Sequence, residues 1–106
     1  MSEHHSREFI EAMHAEQLRH HGGATGIRDE GMLESALARP RQKEAYGEPD
    51  LCQLAAAYLF GVAKNHPFVD GNKRTAFAAA DLFLYFNGLS LEAEQEDIIQ
   101  LATMVA

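Results

Sequence analysis

The apolar positions of this chain recur at helical spacing almost from end to end. Phe9, Ile10, Met13 and Leu18 fall on one face of a first helix that Ser6 can cap and that His21-Gly22-Gly23 should stop. The loop from Gly22 to Arg28 holds three glycines, and Asp29 then reads as the N-cap of a short helix running to about Ala38, closed by Pro40. Residues 39–50 are polar and irregular. Their length, about twelve residues, is long for a connector in a small domain, so a solvated loop and a functional loop are equally open readings.

Asp50 caps the next helix, from Leu51 to about Asn65. Leu54, Ala55, Ala56, Ala57, Tyr58, Leu59, Phe60, Val62 and Ala63 make it apolar around most of its circumference. Such a helix belongs at the centre of a bundle. A second apolar helix spans about Asn72 to Asn87, with Gly88 as its left-handed cap, and its alanines permit close helix approach. Asp81 is its one interior charge and should face solvent or a partner. A last helix begins near Ala93–Glu96 and is still apolar at Ala106, with no stop signal; the chain is expected to lack a further C-terminal helix. The pattern predicts an all-α fold, a compact bundle around two central apolar helices, formed by a single domain over residues 1–106.

Composition narrows the function. The net charge of −7 argues against direct nucleic-acid binding, whose sequence-independent affinity needs clustered Lys and Arg. No apolar run approaches the roughly 20 residues needed to span a bilayer, and the N-terminus lacks the apolar segment of a signal peptide. No membrane association and a cytoplasmic location are therefore the default expectations. Cys52 is the only cysteine, which excludes an internal disulfide, and a buried structural thiol is expected there. The pairs His4-His5 and His20-His21 are neighbours in sequence, not one helical turn apart, and make weak candidates for zinc.

The chemistry concentrates in His66-Pro67-Phe68-Val69-Asp70-Gly71-Asn72-Lys73-Arg74, between the two apolar helices. Gly71 to Arg74 open a helix, and the first N–H groups of a helix are unpaired and partly positive. They form an anion site to which Gly71 allows close backbone approach. Lys73 adds a compact cation and Arg74 a planar fork suited to phosphate oxygens, while Asn72 can bind a phosphate or order the loop. Asp70 stands one residue before this cradle, where a carboxylate needs an intervening cation; Mg²⁺, held by a carboxylate and phosphates, is the natural choice. An imidazole titrates near neutrality in water, which suits His66 to act as a general base on a hydroxyl. Singly, these residues read as a helix cap, a turn and a solvated pair; together they favour a phosphate-handling site. No P-loop or Rossmann glycine pattern accompanies them.

The same residues resemble the signature of the Fic/Doc family, His-Pro-Phe-x-x-Gly-Asn-Gly-Arg-x-x-Arg, and in particular its Doc (death-on-curing) branch. Lys73 replaces a glycine of the Fic pattern, and Phe77 stands where its second arginine falls; Asn72-Lys73-Arg74 followed by Thr75-Ala76 is the Doc form. The segment from Gly26 to Pro40 also resembles the Doc N-terminal region, so the likeness covers nearly the whole chain. It implies a toxin of a toxin–antitoxin module. That toxin would be a protein kinase placing the γ-phosphate of ATP on a threonine of elongation factor Tu, restrained by the C-terminal segment of an antitoxin. By position, His66 would be the base and Asp70 the Mg²⁺ ligand, with Gly71, Asn72, Lys73 and Arg74 binding the phosphates. Residues 43–47 would form a flap that docks the target. An AMP transferase acting on a protein hydroxyl and a catalytically idle partner-binding module are the alternatives.

Overall fold

The computed structural model describes residues 2–89, which form four α-helices. Helix α1 spans Arg7–His21, α2 Glu30–Ala45, α3 Leu51–Asn65 and α4 Asn72–Phe86. The fold is all-α, as the periodicity implies. The final helix expected from residue 93 onward lies outside the described residues.

The helix starts follow side-chain capping. Ser6, Asp29 and Asp50 each accept a hydrogen bond from a backbone N–H of the first turn, at Phe9, Met32 and Cys52 respectively. Helix α4 starts at Gly71 with no side-chain cap. It ends in a Schellman motif: Gly88, at φ 84°, donates to Tyr85, and Leu89 donates to Leu84.

Helix α3 is the centre. It packs against α2 on one side and α4 on the other, and α1 lies against α4. Leu54, Ala55, Ala57, Tyr58, Leu59, Gly61 and Val62 are all buried, which covers most of its circumference. Ile10, Leu33, Phe68 and Phe83 complete the core around it. Asp81 is exposed on the outer face of α4, as expected of a lone charge. No described helix is long and apolar enough to cross a membrane.

Two expectations are corrected. Helix α2 does not stop near Ala38 but continues through Pro40 to Ala45, so the polar stretch from residue 39 is helical for half its length. Proline removes the hydrogen bond that residue 40 would give the Ala36 carbonyl. That carbonyl sits against α3 at Gly61, where a Cβ would lie 3.2 Å from it, so the helices pack closely there and a side chain would press on the α2 backbone. The Pro40 ring is itself fully buried, and its packing together with the good helix formers Arg41 to Ala45 outweighs the lost bond. Residues 43–47 are the last turn of α2 and its exit, with Tyr46 exposed. The second correction concerns Cys52, which is exposed because it lies on the outer side of the first turn of α3.

The N-terminal segment is not loose. Ser2 binds Glu44 through its hydroxyl, and His4 joins the Tyr58 hydroxyl (2.9 Å) to Glu44 Oε1 (3.0 Å). His5 is buried, and its Nε2 donates to the Ala79 carbonyl at 2.7 Å. Residues 2–5 thus strap the last turn of α2 to the middles of α3 and α4.

Candidate active site

The loop from His66 to Gly71 joins α3 to α4, and all but one of its carbonyls, with the N–H groups of Phe68 and Val69, are held. His66 ends α3 in the left-handed region, at φ 49° and ψ 55°. Among the described residues it is the one non-glycine residue with positive φ. A side chain there is strained by an amount of order 1 kcal/mol or more and persists only where the surroundings fix it.

Arg28 supplies that fixing. Its Nε donates to the His66 carbonyl at 2.6 Å and its Nη2 to the Asn65 carbonyl at 2.8 Å. The guanidinium thus satisfies carbonyls that the end of α3 leaves unpaired. The backbone N–H groups of Arg28 and Asp29 both donate to the Pro67 carbonyl, at 2.7 and 3.2 Å, and Val69 donates to Gly26 at 3.0 Å. Ile27 and Phe68 form an isolated antiparallel bridge. The segment 26–29 is therefore laid along the loop as a clamp.

From inside, Asn72 does the same work. It is buried; its Oδ1 accepts from Phe68 N and its Nδ2 donates to Phe68 O, both at 2.9 Å. The same Nδ2 lies 3.4 Å from His66 Nδ1, at the outer limit of a hydrogen bond, so it positions the ring without fixing its tautomer. Of the two roles open to Asn72, its side chain takes the ordering one. Phe68 is buried, as an anchor should be.

His14 is the residue that sequence reading passes over. It is buried on α1, stacks on Phe68 at 3.8 Å between ring centroids, and donates from Nε2 to the Asp70 carbonyl at 2.8 Å. The signal is present in the sequence, since His14 shares the apolar face of Ile10 and Met13, where a polar group needs a partner. Arg28 carries no comparable signal, because an exposed arginine in a glycine-rich loop reads as solvated.

Around this frame the reactive groups face outward. His66, Asp70, Lys73 and Arg74 are exposed, with Lys73 and Arg74 on the first turn of α4. Asp70 Oδ2 accepts from Ala24 N at 2.8 Å, which orients the carboxylate. Gly71 holds φ 77°, and a Cβ there would meet Leu18 Cδ2 at 3.3 Å and His14 Cδ2 at 3.6 Å. The loop closes tightly against α1 at this point, in a left-handed backbone conformation that glycine adopts without strain. With no side-chain cap, the first N–H groups of α4 remain open to an anion.

The group Mg²⁺ fits this chemistry through Asp70, which has one oxygen oriented by Ala24 and the other without a protein donor among the described residues. Among those residues no three His, Cys, Asp or Glu side chains converge, so a cation at Asp70 would take its other ligands from phosphate and water.

A helical bundle that presents a histidine and an uncapped helix N-terminus on one clamped loop is the class of site these observations define. The Fic/DOC family model matches residues 4–84, and the chain belongs to that family. "Toxin Doc" of Mycolicibacterium smegmatis is 51% identical over 76 residues, covering 69% of this chain and 58% of that protein. "Protein kinase doc" of Escherichia phage P1 is 39% identical over 89 residues, covering 83% of this chain and 71% of that protein. The chain thus spans less than two thirds of the length of the mycobacterial relative and somewhat more of the phage one.

Proposed function

We propose that this chain is the toxin of a toxin–antitoxin module and a protein kinase that moves the γ-phosphate of ATP to a threonine hydroxyl of elongation factor Tu, halting translation in the cytoplasm. The observation that carries the reading is the rigid spacing of His66 and the open N-terminus of α4 on one loop, held by Arg28, Asn72 and His14. The names of the two relatives, a Doc toxin and a protein kinase, support it.

His66 takes the proton as the hydroxyl oxygen attacks the γ-phosphorus. The bond from that phosphorus to the β–γ bridging oxygen breaks, and ADP leaves. The N–H groups opening α4, with Lys73 and Arg74, hold the phosphates and offset their charge. Mg²⁺ at Asp70 would neutralise phosphate oxygens beside the carboxylate. Phosphoryl transfer asks little covalent chemistry of a protein, so positioning and charge dominate. A rigid loop is what that requires. Lys73 and Phe77, in place of a glycine and a second arginine, favour γ-phosphate transfer over AMP transfer. An antitoxin whose C-terminal segment covers the site would restrain the enzyme.

The test supplies the chain with elongation factor Tu and ATP labelled at either the γ- or the α-phosphate. Label transferred from γ-ATP, and lost on His66→Ala, is the expected result. Label arriving only from α-ATP would establish the AMP transferase instead. Growth arrest that survives His66→Ala would mark an idle binding module.

A further inference from the structure

The cations of this acidic chain are not evenly engaged. Arg7 is bound to Glu11, Glu30 and Glu34, and Arg19 to Glu16. Arg28 and Arg41 donate to backbone carbonyls. Arg39 and Lys64 have neither kind of partner among the described residues. Instead both lie over the ring of Phe60, with Arg39 Cζ 4.6 Å and Lys64 Nζ 5.1 Å from its centroid. Both cations are exposed and the ring is half-buried.

Two like charges gathered on one phenyl ring repel each other, and the negative face of the ring offsets only part of that. A carboxylate drawn to these cations offsets the repulsion, and its methylene stem finds an apolar neighbour in Phe60. With a net charge of −7, most of the surface repels an acidic partner, so attraction at this spot is local and orients what binds.

The spot also stands on the part of α3 that leads into the candidate base. Phe60 and Lys64 stand on the last turns of α3, which ends at Asn65 before His66. Six residues of helix rise about 9 Å along the axis, so a peptide that reaches both the spot and His66 spans at least about three extended residues. We propose that Arg39, Phe60 and Lys64 form a docking spot for an acidic side chain of the protein substrate, at least about three positions from the hydroxyl presented to His66. This proposal rests on the kinase reading for its placement, while the charge preference itself can be measured apart from catalysis.

The probes are fluorescein-labelled peptides carrying one threonine with paired glutamates about three to six positions away, each compared with a twin in which glutamines replace them. Exposed ion pairs are worth up to about 1 kcal/mol each, so the two cations together should favour the glutamate peptide by about fivefold to tenfold at low salt. The preference should appear in KM for γ-phosphate transfer and in anisotropy titrations without ATP. In Arg39→Gln/Lys64→Gln it should fall to about one, and in Arg39→Glu/Lys64→Glu it should pass to a lysine-bearing peptide. Equal binding of the glutamate and glutamine peptides to the wild-type chain overturns the proposal. So does a preference that the double glutamine variant retains. Absence of transfer to either peptide, with a binding preference that disappears in the double variant, discards the kinase reading and keeps the docking spot.

Discussion

Arg28 Nε stands 2.6 Å from the carbonyl oxygen of His66, and the same guanidinium holds the carbonyl of Asn65 at 2.8 Å. One side chain from the loop before α2 therefore ends α3 and fixes the backbone of the candidate base. Arg28→Ala should lower stability by about 1 kcal/mol, toward the low end for charge-assisted hydrogen bonds because the arginine is exposed. Phosphoryl transfer should fall further, by about tenfold or more, because His66 then leaves its strained conformation. Arg28→Lys keeps the charge but loses the fork and should recover little. Thermal melts and initial rates on the same samples check this; activity that falls only in proportion to the folded fraction would remove the positioning role.

A glycine at position 66 separates stability from function. His66 ends its helix at φ 49°, where a side chain is strained and glycine is not. His66→Gly should therefore raise the stability of the fold by about 0.5–1 kcal/mol, or about 2–8 °C in Tm, while abolishing transfer. A melt at or below the wild-type value would mean that the ring's contact with Asn72 outweighs the strain.

The sequence made much of this legible through local signals. Ser6, Asp29 and Asp50 are caps whose chemistry acts within one turn, and each starts a helix where expected. Gly88 ends α4 for the same reason. The nine residues from His66 to Arg74 are adjacent in the chain, so their proximity needs no tertiary structure to be seen. What escaped depends on distant neighbours. Pro40 looks like a helix stop until Gly61 is brought against the Ala36 carbonyl. His4 and His5 look like a polar tail until Tyr58, Glu44 and Ala79 are found around them. Arg28 becomes a clamp only when the end of α3 arrives beside it.

Gly71 tests how tightly the loop must close. Alanine there must hold φ 77° and place its Cβ 3.3 Å from Leu18 Cδ2 and near the His14 ring. Gly71→Ala should cost about 1–3 kcal/mol of stability. It should also weaken nucleotide binding, because the first turn of α4 moves with it. Chemical denaturation and titration with ATP measure the two effects separately. A variant as stable as wild type would show that the left-handed conformation is not required.

The N-terminal strap should make stability depend on pH through His5. The ring is buried and donates from Nε2 to the Ala79 carbonyl, with His4, Arg41, Tyr58 and the aromatic rings of Phe9, Phe83 and Phe86 about it. Burial holds its pKa below the ordinary 6.5, the charges of His4 and Arg41 add to that, and the bond to Ala79 opposes it. Below 6.5 the unfolded chain takes up this proton before the folded chain does, so the unfolded state binds more protons and stability falls with pH. The loss ends once the folded ring also titrates. Glu44 acts in a lower window. The Ser2 hydroxyl, then burial opposing and His4 assisting, leave its carboxyl below the ordinary 4.5, so its contribution holds above that value and fades as pH falls through the folded pKa. The wild-type melting temperature should therefore drop between about pH 7 and 5.5, above the range of the carboxylates. His5→Gln keeps a donor for Ala79 without a titrating ring, and its melting temperature should change less over the same interval. Parallel pH profiles for the two proteins would show that protonation of His5 does not drive the acid sensitivity.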